Sequence, residues 1–405
     1  MLKKKNQRGR WQRSDAMIES VYSVSDNLDP LAGVRSVVAD CRAQLGGRCP
    51  SAGLFFTSCM EADYEQMLAE IHGAFPDIEL IGCTTDGEIT PERGFTEDSS
   101  ALLLLVSEDI GFAAAVAENI SGKAKEATAR AYQQAKSRLG QEPAMALVLP
   151  DGMSTMFIPI DAILRSEMGD GLPIFGGSAG DGFQIVKTYQ FLGNEVFSDA
   201  MVILLLSGEL QIGLNVATGP IPYGQYYSVE KVEENIIHSI DGVTALEFYE
   251  RFFGEYIEDR ELSFFPLAVY TGESDDFVLR DPVEVNRKSG SISFVGRIEE
   301  PCRVRITQVT RDDTLRSGHS GSRQILSIFE EATPDLILLF SCTSRRHVLG
   351  SRTDEEFEVL KRDGRQVPFF GFYCYGEIGP FANGESVHFH SDTCISLALK
   401  CSSNG

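Results

Sequence analysis

Short, unbroken apolar runs punctuate this chain. "SAGLFFTSC" (Ser51–Cys59), "IELIGC" (Ile78–Cys83), "ALLLLV" (Ala101–Val106), "MVILLL" (Met201–Leu206) and "LILLFSC" (Leu336–Cys342) each end in, or are followed at once by, small or polar residues. Each is long enough for a strand and far too short to cross a bilayer. Continuous rather than alternating polarity predicts strands buried on both faces. Helical spacing appears between the runs. Met67, Leu68, Ile71 and Phe75 recur on one face of "DYEQMLAEIHGAF", with Asp63 placed to cap it. Other helices are predicted over Pro30–Leu45, where Asp29-Pro30 forms a start signal, and over Ser121–Leu139, Val243–Phe253 and Leu315–Glu331. Alternating stretches at Leu210–Gly224, Asp281–Ile298 and Cys302–Val309 predict strands of a different kind, with one wet face.

The pattern repeats. Strand, helix, strand, Gly-acid turn and closing strand occur once around Ser51–Val106. They recur at Leu336–Leu399, where "DEEFEVLKRDG" (Asp354–Gly364) supplies the helix. The turns read "CTTDGEI" and "FYCYGEI", placing Glu88 and Glu377 at the same point. A weaker copy lies between them: "MALVLPDG", a helix near Asp161–Met168, "PIFGGSAGDG", "KTYQF" and "DAMVILLLSG". There the acid after the glycine is Asp181. The expected fold is α/β: layered strand–helix–strand repeats forming two related halves with mixed β-sheets. The organisation expected is a basic disordered tail at 1–28, an N-terminal domain at 29–255 and a C-terminal domain at 256–400, with the boundary inside Tyr256–Phe265.

Composition narrows the function. At 405 residues, 43% hydrophobic and 23% charged, the chain has material for more than one core. A formal net charge of −23 repels nucleic acid and anionic membrane. The leading "MLKKKNQRGRWQR", which holds the single tryptophan, Trp11, is basic without a following apolar segment, so no secretory signal is expected. Nine cysteines without a C-x-x-C pair suggest free thiols and a cytoplasmic chain.

Candidate chemistry gathers at the strand ends. Glu88, Asp181 and Glu377 are candidate acids, with Cys83 and Cys374 as thiols beside them. A thiolate nucleophile needs an adjacent base, yet the six histidines are scattered and none falls in either turn. No G-x-S-x-G, P-loop or dinucleotide fingerprint is present, and an enzyme is not expected; strand-end carboxylate chemistry is the alternative. No metal is expected: Cys59, Cys83, Cys342 and Cys374 read as buried thiols, and the "HFH" pair His388/His390 as solvent-facing. A small polar ligand suits the remaining groups: Thr84, Thr85 and Glu88; Ser178 and Asp181; Arg345; Tyr373, Tyr375 and Glu377. Arg345 either grips a ligand carboxylate or phosphate or pairs with Glu377 or Glu355.

In order along the chain, "IGCTTDGEI", "LPIFGGSAGDGF", "KTYQFLGNEVFSDAMVILLLSG", "FSCTSRRHVLG" and "PFFGFYCYGEIGPF" resemble a FIST-domain protein. The first three resemble its N-terminal half and the last two its C-terminal half, so the likeness spans roughly Ala52 to Leu399. The resemblance implies a standalone sensory input protein of bacterial signal transduction. Such a protein binds a small ligand and regulates a separate partner, a histidine kinase or a cyclic-di-GMP enzyme. Some relatives of this type are described as haem-based nitric-oxide sensors. Haem is therefore the alternative cofactor. The stretch "NVATGPIPYG" lacks the histidine that such a sensor would place there, and His238 is the nearest substitute.

Overall fold

The structure, a computed structural model, describes residues 18–254, 257–272, 276–329, 332–364 and 367–401. Three units of one plan build its body. The first runs through an edge strand Glu19–Ser25, a helix Pro30–Leu45, a first strand Ala52–Thr57, a helix Tyr64–Ala74 and a second strand Glu79–Thr84. A short hairpin (Glu88–Thr90 and Gly94–Thr96) and a closing strand Ser100–Val106 complete it. The second unit repeats the order with edge strand Gly111–Glu118, helix Ile120–Leu139, first strand Met145–Pro150, helix Ile160–Met168 and second strand Ile174–Gly177. Its hairpin is Gln190–Leu192 and Glu195–Phe197, and its closing strand is Ala200–Ser207. The third has edge strand Leu210–Thr218, helix Arg311–Leu326, first strand Leu336–Cys342, second strand Phe369–Cys374, hairpin Glu377–Gly379 and His388–His390, and closing strand Thr393–Cys401.

Each unit forms a mixed sheet. First and second strands run parallel, and the closing strand lies antiparallel between the first strand and the edge strand. The hairpin, however, joins a different unit's sheet. The first unit's hairpin pairs with the third unit (Phe372 opposite Glu88), the second's with the first (Cys83 opposite Gln190), and the third's with the second (Gly177 opposite Glu377). The exchange closes a ring. Consequently two of the three six-stranded sheets contain strands from both sides of residue 255.

Covering on both faces explains the unbroken apolar runs. Leu54 and Phe56, Leu147 and Leu149, and Leu338 and Phe340 point into one shared central core. The residues between them, Phe55, Val148 and Leu339, point outward beneath the helices. Across the centre, Phe56 meets Phe372 with ring centroids 4.4 Å apart. Glycines at matching positions let the parallel strands approach. A Cβ on Gly82, Gly176 or Gly371 would lie 2.0, 1.8 or 1.9 Å from the carbonyl oxygen of Phe55, Val148 or Leu339. These contacts fix the register by which the three units are compared.

Between the third unit's edge strand and its helix, the chain builds a separate lobe. It contains the strands Ile221–Glu233, Ile236–Ile240, Leu267–Thr271, Val278–Arg280, Pro282–Asn286, Ser291–Phe294 and Cys302–Gln308, and the helix Ala245–Phe253. Its own core includes Ile237, Tyr249, Ile292, Phe294 and Val304. The alternating stretches Asp281–Ile298 and Cys302–Val309 of the sequence pattern fall in this lobe, whereas Leu210–Gly224 divides between the third unit's edge strand Leu210–Thr218 and the lobe strand that starts at Ile221.

Several boundaries differ from expectation. The tail is shorter than 1–28, because "ESVYSVS" pairs along the closing strand Ser100–Val106. Trp11 and the 255/256 boundary lie outside the described residues. The helix expected from Leu315 starts at Arg311, where the Thr310 hydroxyl accepts the Asp313 N–H at 3.1 Å. The acidic segment from Asp354 divides into a 3₁₀ turn, Gly350–Glu355, and a helix, Glu358–Asp363.

Candidate functional site

The register places the recurring acid more exactly than the sequence pattern did. Glu88, Gln190 and Glu377 are the equivalent first residues of the three exchanged strands. Gln190 therefore stands where Asp181 was expected. The second unit inserts an extra loop before its hairpin, and Asp181 organises that loop. Its carboxylate accepts N–H bonds from Ile185 (2.9 Å), Val186 (2.7 Å) and Lys187 (2.9 Å), and the hydroxyl of Tyr375. Burial opposes its charge, yet the Tyr375 hydroxyl and these N–H donors hold it below the usual carboxylate range.

Glu88 and Glu377 are enclosed. Glu88 accepts hydroxyl bonds from Ser58 (2.9 Å), Thr85 (2.5 Å) and Ser99. Glu377 accepts from the Thr393 N–H (3.1 Å), its hydroxyl (2.5 Å) and the Cys374 thiol (3.3 Å). Burial pushes Glu88 up to about 7 and Glu377 up to about 8. Thr84 and Ser178 tie loops together: Thr84 accepts the Tyr189 N–H at 3.1 Å, and Ser178 meets the Thr155 hydroxyl at 3.0 Å.

Arg345 and Tyr373 belong to another cluster. Arg345 pairs with Glu356 (2.6 Å), one residue beyond the expected Glu355, and donates to Ser317 and to the carbonyls of Ala217 and Thr314. The Tyr373 hydroxyl donates to the other Glu356 oxygen at 2.6 Å. Both Arg345 and Glu356 are sealed from solvent, at 1% and 0% side-chain exposure. Of the expected ligand residues, Tyr375 alone lines the large cavity between body and lobe.

That cavity measures about 770 Å³. Met156, Phe183 and Ile185 of the body face Phe264, Val283 and Val295 of the lobe. Polar groups converge on it from Thr343, Ser344, His347, Tyr375 and Ser391, together with Asp281. The Phe183 ring lies against His347 with centroids 4.0 Å apart, and His347 Nδ1 lies 2.9 Å from the Thr343 carbonyl oxygen. Asp86 holds this loop in place: its carboxylate accepts the N–H groups of Gly182 (2.7 Å) and Phe183 (3.2 Å) and the Thr343 hydroxyl. Burial raises Asp86 above the usual carboxylate range.

Asp281, from the lobe, contacts Asp392, from the body. Burial, above all, raises both above the usual carboxylate range, and their proximity adds to the rise at Asp392. Asp281 Oδ1 and Asp392 Oδ2 have no donor. The sequence pattern singled out neither acid. A signal existed for Asp392: Asp98, Asp199 and Asp392 precede the three closing strands at φ 48°, 51° and 55°. Asp199 uses the position structurally, accepting the Ser121 N–H at 2.8 Å and the Ser154 hydroxyl at 2.8 Å. For Asp281 no local signal existed, because its partner comes from a remote strand.

Other chemistry fits poorly. Burial pushes the thiols of Cys83, Cys342 and Cys374 well above their ordinary value, which disfavours the thiolate. Among the described residues, no group of three His, Cys, Asp or Glu side chains could hold a metal ion. A haem needs an axial ligand facing a roomy apolar cavity. His238 sits instead on a lobe strand, 3.4 Å from Glu233, and does not line the large cavity, so it does not fit that role. His390 is buried, with Nε2 2.9 Å from the Gly379 carbonyl, rather than solvent-facing as expected. Among the described residues, no helix is long and apolar enough to cross a membrane.

Residues 51–243 match the FIST N domain and residues 245–380 the FIST C domain. An uncharacterized protein of Methanocaldococcus jannaschii is 25% identical over 394 residues, covering 87% of this chain and 74% of its own length. An uncharacterized protein of Mycobacterium tuberculosis is 21% identical over 383 residues, covering 90% of this chain and 96% of its own. Among solved structures, cyanuric acid hydrolase from A. caulinodans aligns with 95% of this chain and 100% of its own, at 10% identity and a TM-score of 0.37.

Proposed function

Because the chain belongs to the FIST family, whose domains are sensory domains of signal transduction, we propose that it binds a small ligand in the cavity between body and lobe. In this reading occupancy is passed to a separate signalling protein, such as a histidine kinase or a cyclic-di-GMP enzyme. The observation that carries it is the cavity's position. A ligand there touches residues from two separately packed cores, so it binds one relative arrangement of lobe and body better than another. Differential affinity of that kind is what a sensor needs: a tenfold preference is worth about 1.4 kcal/mol. The protonated, buried thiols and the enclosed Glu88 and Glu377 support binding rather than catalysis, and support a cytoplasmic, non-enzymatic input role.

A thermal-shift screen of amines, amino acids, carboxylates and nucleotides on the full chain tests this reading. Val283→Trp, which fills the cavity from the lobe side, should abolish the shift given by any true ligand. Ligands that stabilise wild type and Val283→Trp equally would place binding elsewhere and remove the cavity from the account.

A further inference from the structure

We infer that the cavity is selective for an organic cation with an apolar body, its ammonium seated at Asp281, which lines the cavity and is backed by its hydrogen-bond partner Asp392. The inference rests on the cavity being the ligand site and adds the chemical class that fits it. Three observations converge. First, Asp281 and Asp392 are 91% and 96% shielded, from relative exposures of 9% and 4%, and each keeps one carboxyl oxygen without a donor. The two acids hydrogen-bond to each other and Ser391 hydrogen-bonds to Asp281, and an ammonium would bring N–H donors to the oxygens that these contacts leave over.

Second, no Lys or Arg is among the described residues that line the cavity. Arg280, the neighbour of Asp281 in sequence, turns away, donating to the carbonyls of Arg297 (3.0 Å) and Phe389 (3.0 Å). Arg345 is consumed by Glu356. A carboxylate or phosphate would therefore enter a site that already holds acids and offers no guanidinium or ammonium partner. Asp259, at the lobe side, is itself paired to Arg287 at 2.5 Å, and the exposed Glu261 accepts the Glu258 N–H at 3.2 Å, so the buried acidity of the cavity lies at the Asp281 end.

Third, the remaining walls are apolar and partly open. Phe183, Ile185, Phe264 and Val283 are 41%, 44%, 42% and 39% exposed, two on each side of the seam. An apolar ligand body would remove all four from water and draw the lobe onto the body. The Phe183 and Tyr375 rings stand edge to face at 6.4 Å, offering aromatic faces that also favour a cation.

Three probes of one shape separate the possibilities in calorimetric titrations of the full chain: phenethylamine (cation), phenylalanine (zwitterion) and phenylacetate (anion). Phenethylamine should bind at least tenfold more tightly than either of the others. Asp281→Asn and Asp392→Asn, neutral replacements of similar shape, should each weaken it at least tenfold while the melting curve stays cooperative. Preferential binding of phenylalanine or phenylacetate, lost in Val283→Trp, would overturn the cationic selectivity and leave the cavity reading intact. Phenethylamine binding unchanged in Val283→Trp would sink both. A divalent cation that stabilises the protein in place of the amine, and fails to do so in Asp281→Asn, would make the acids a metal site and also overturn the inference. The comparison among probes on wild type needs no variant to fold.

Discussion

Two buried groups of charged residues in this molecule show opposite solutions to one problem. Arg345 and Glu356 are closed: the cation meets its acid at 2.6 Å, and Tyr373, Ser317 and two carbonyls share their remaining hydrogen-bonding sites. Asp281 and Asp392 are less complete: two acids hydrogen-bond to each other without a cation between them, each keeps an orphan oxygen, and Asp281 lines a large cavity. A buried charge is tolerated when its partners are complete. The first group is thus architecture, locking the helix Arg311–Leu326 to the third unit's strand ends. The second group leaves one oxygen on each acid without a donor, and that incompleteness is the basis of the cation site proposed above.

The largest effect expected from breaking this contrast is on the closed side. Arg345→Ala leaves Glu356 buried without its cation and should cost about 3–5 kcal/mol. Chemical denaturation would register this as a large fall in midpoint. Retention of wild-type stability would mean that Arg345 is no structural pair and would return it to the ligand candidates.

A second, more gradual effect, spread over several pH units, concerns Glu88 and Glu377, which are enclosed yet lack a cation. Both are raised in the folded protein, to about 7 and about 8. The folded protein therefore keeps protons that the unfolded chain releases above about pH 4.3. Their stabilising contribution is complete below that value and is lost as pH rises through the folded values. Each raised acid lowers stability by about 1.4 kcal/mol per pH unit inside its window. Melting temperatures recorded from pH 5 to pH 8 should fall, and Glu88→Gln with Glu377→Gln should flatten the slope. A slope unchanged in the double variant would assign the pH dependence to other groups.

The smallest stability effect belongs to the less complete group. Asp281→Asn removes no ion pair and swaps an unpartnered acid oxygen for an amide that can donate to Asp392. Its folding free energy should remain within about 1 kcal/mol of wild type. Equal destabilisation by Asp281→Asn and Arg345→Ala would erase the distinction between the closed and the less complete group. A nearby control is Asp199→Ala, which removes the donors' acceptor at Ser121 and Ser154 and should cost about 1 kcal/mol, as lost helix caps do.

Much of the body was legible in the chain. Unbroken apolar runs specify strands covered on both faces, and the helix from Pro30 to Leu45 follows from its Asp29 cap and apolar spacing. The repeated Gly-Glu turn follows from local chemistry too: Gly87 and Gly376 adopt φ of 119° and 130°. Such features depend on neighbours in sequence, so sequence alone determines them. The rest depends on which remote segments meet. Exchange of the hairpins made Gln190, not Asp181, the counterpart of Glu88 and Glu377, because an inserted loop shifts position without disturbing strand pattern. The choice of Glu356 over Glu355 came from helix phase at the break between the 3₁₀ turn and the next helix. The Asp281–Asp392 contact arose only when the lobe packed on the body, since each acid alone reads as an ordinary solvated aspartate. Local pattern decided what each segment becomes; tertiary packing decided which polar groups were left without a partner, because that depends on which remote segments meet.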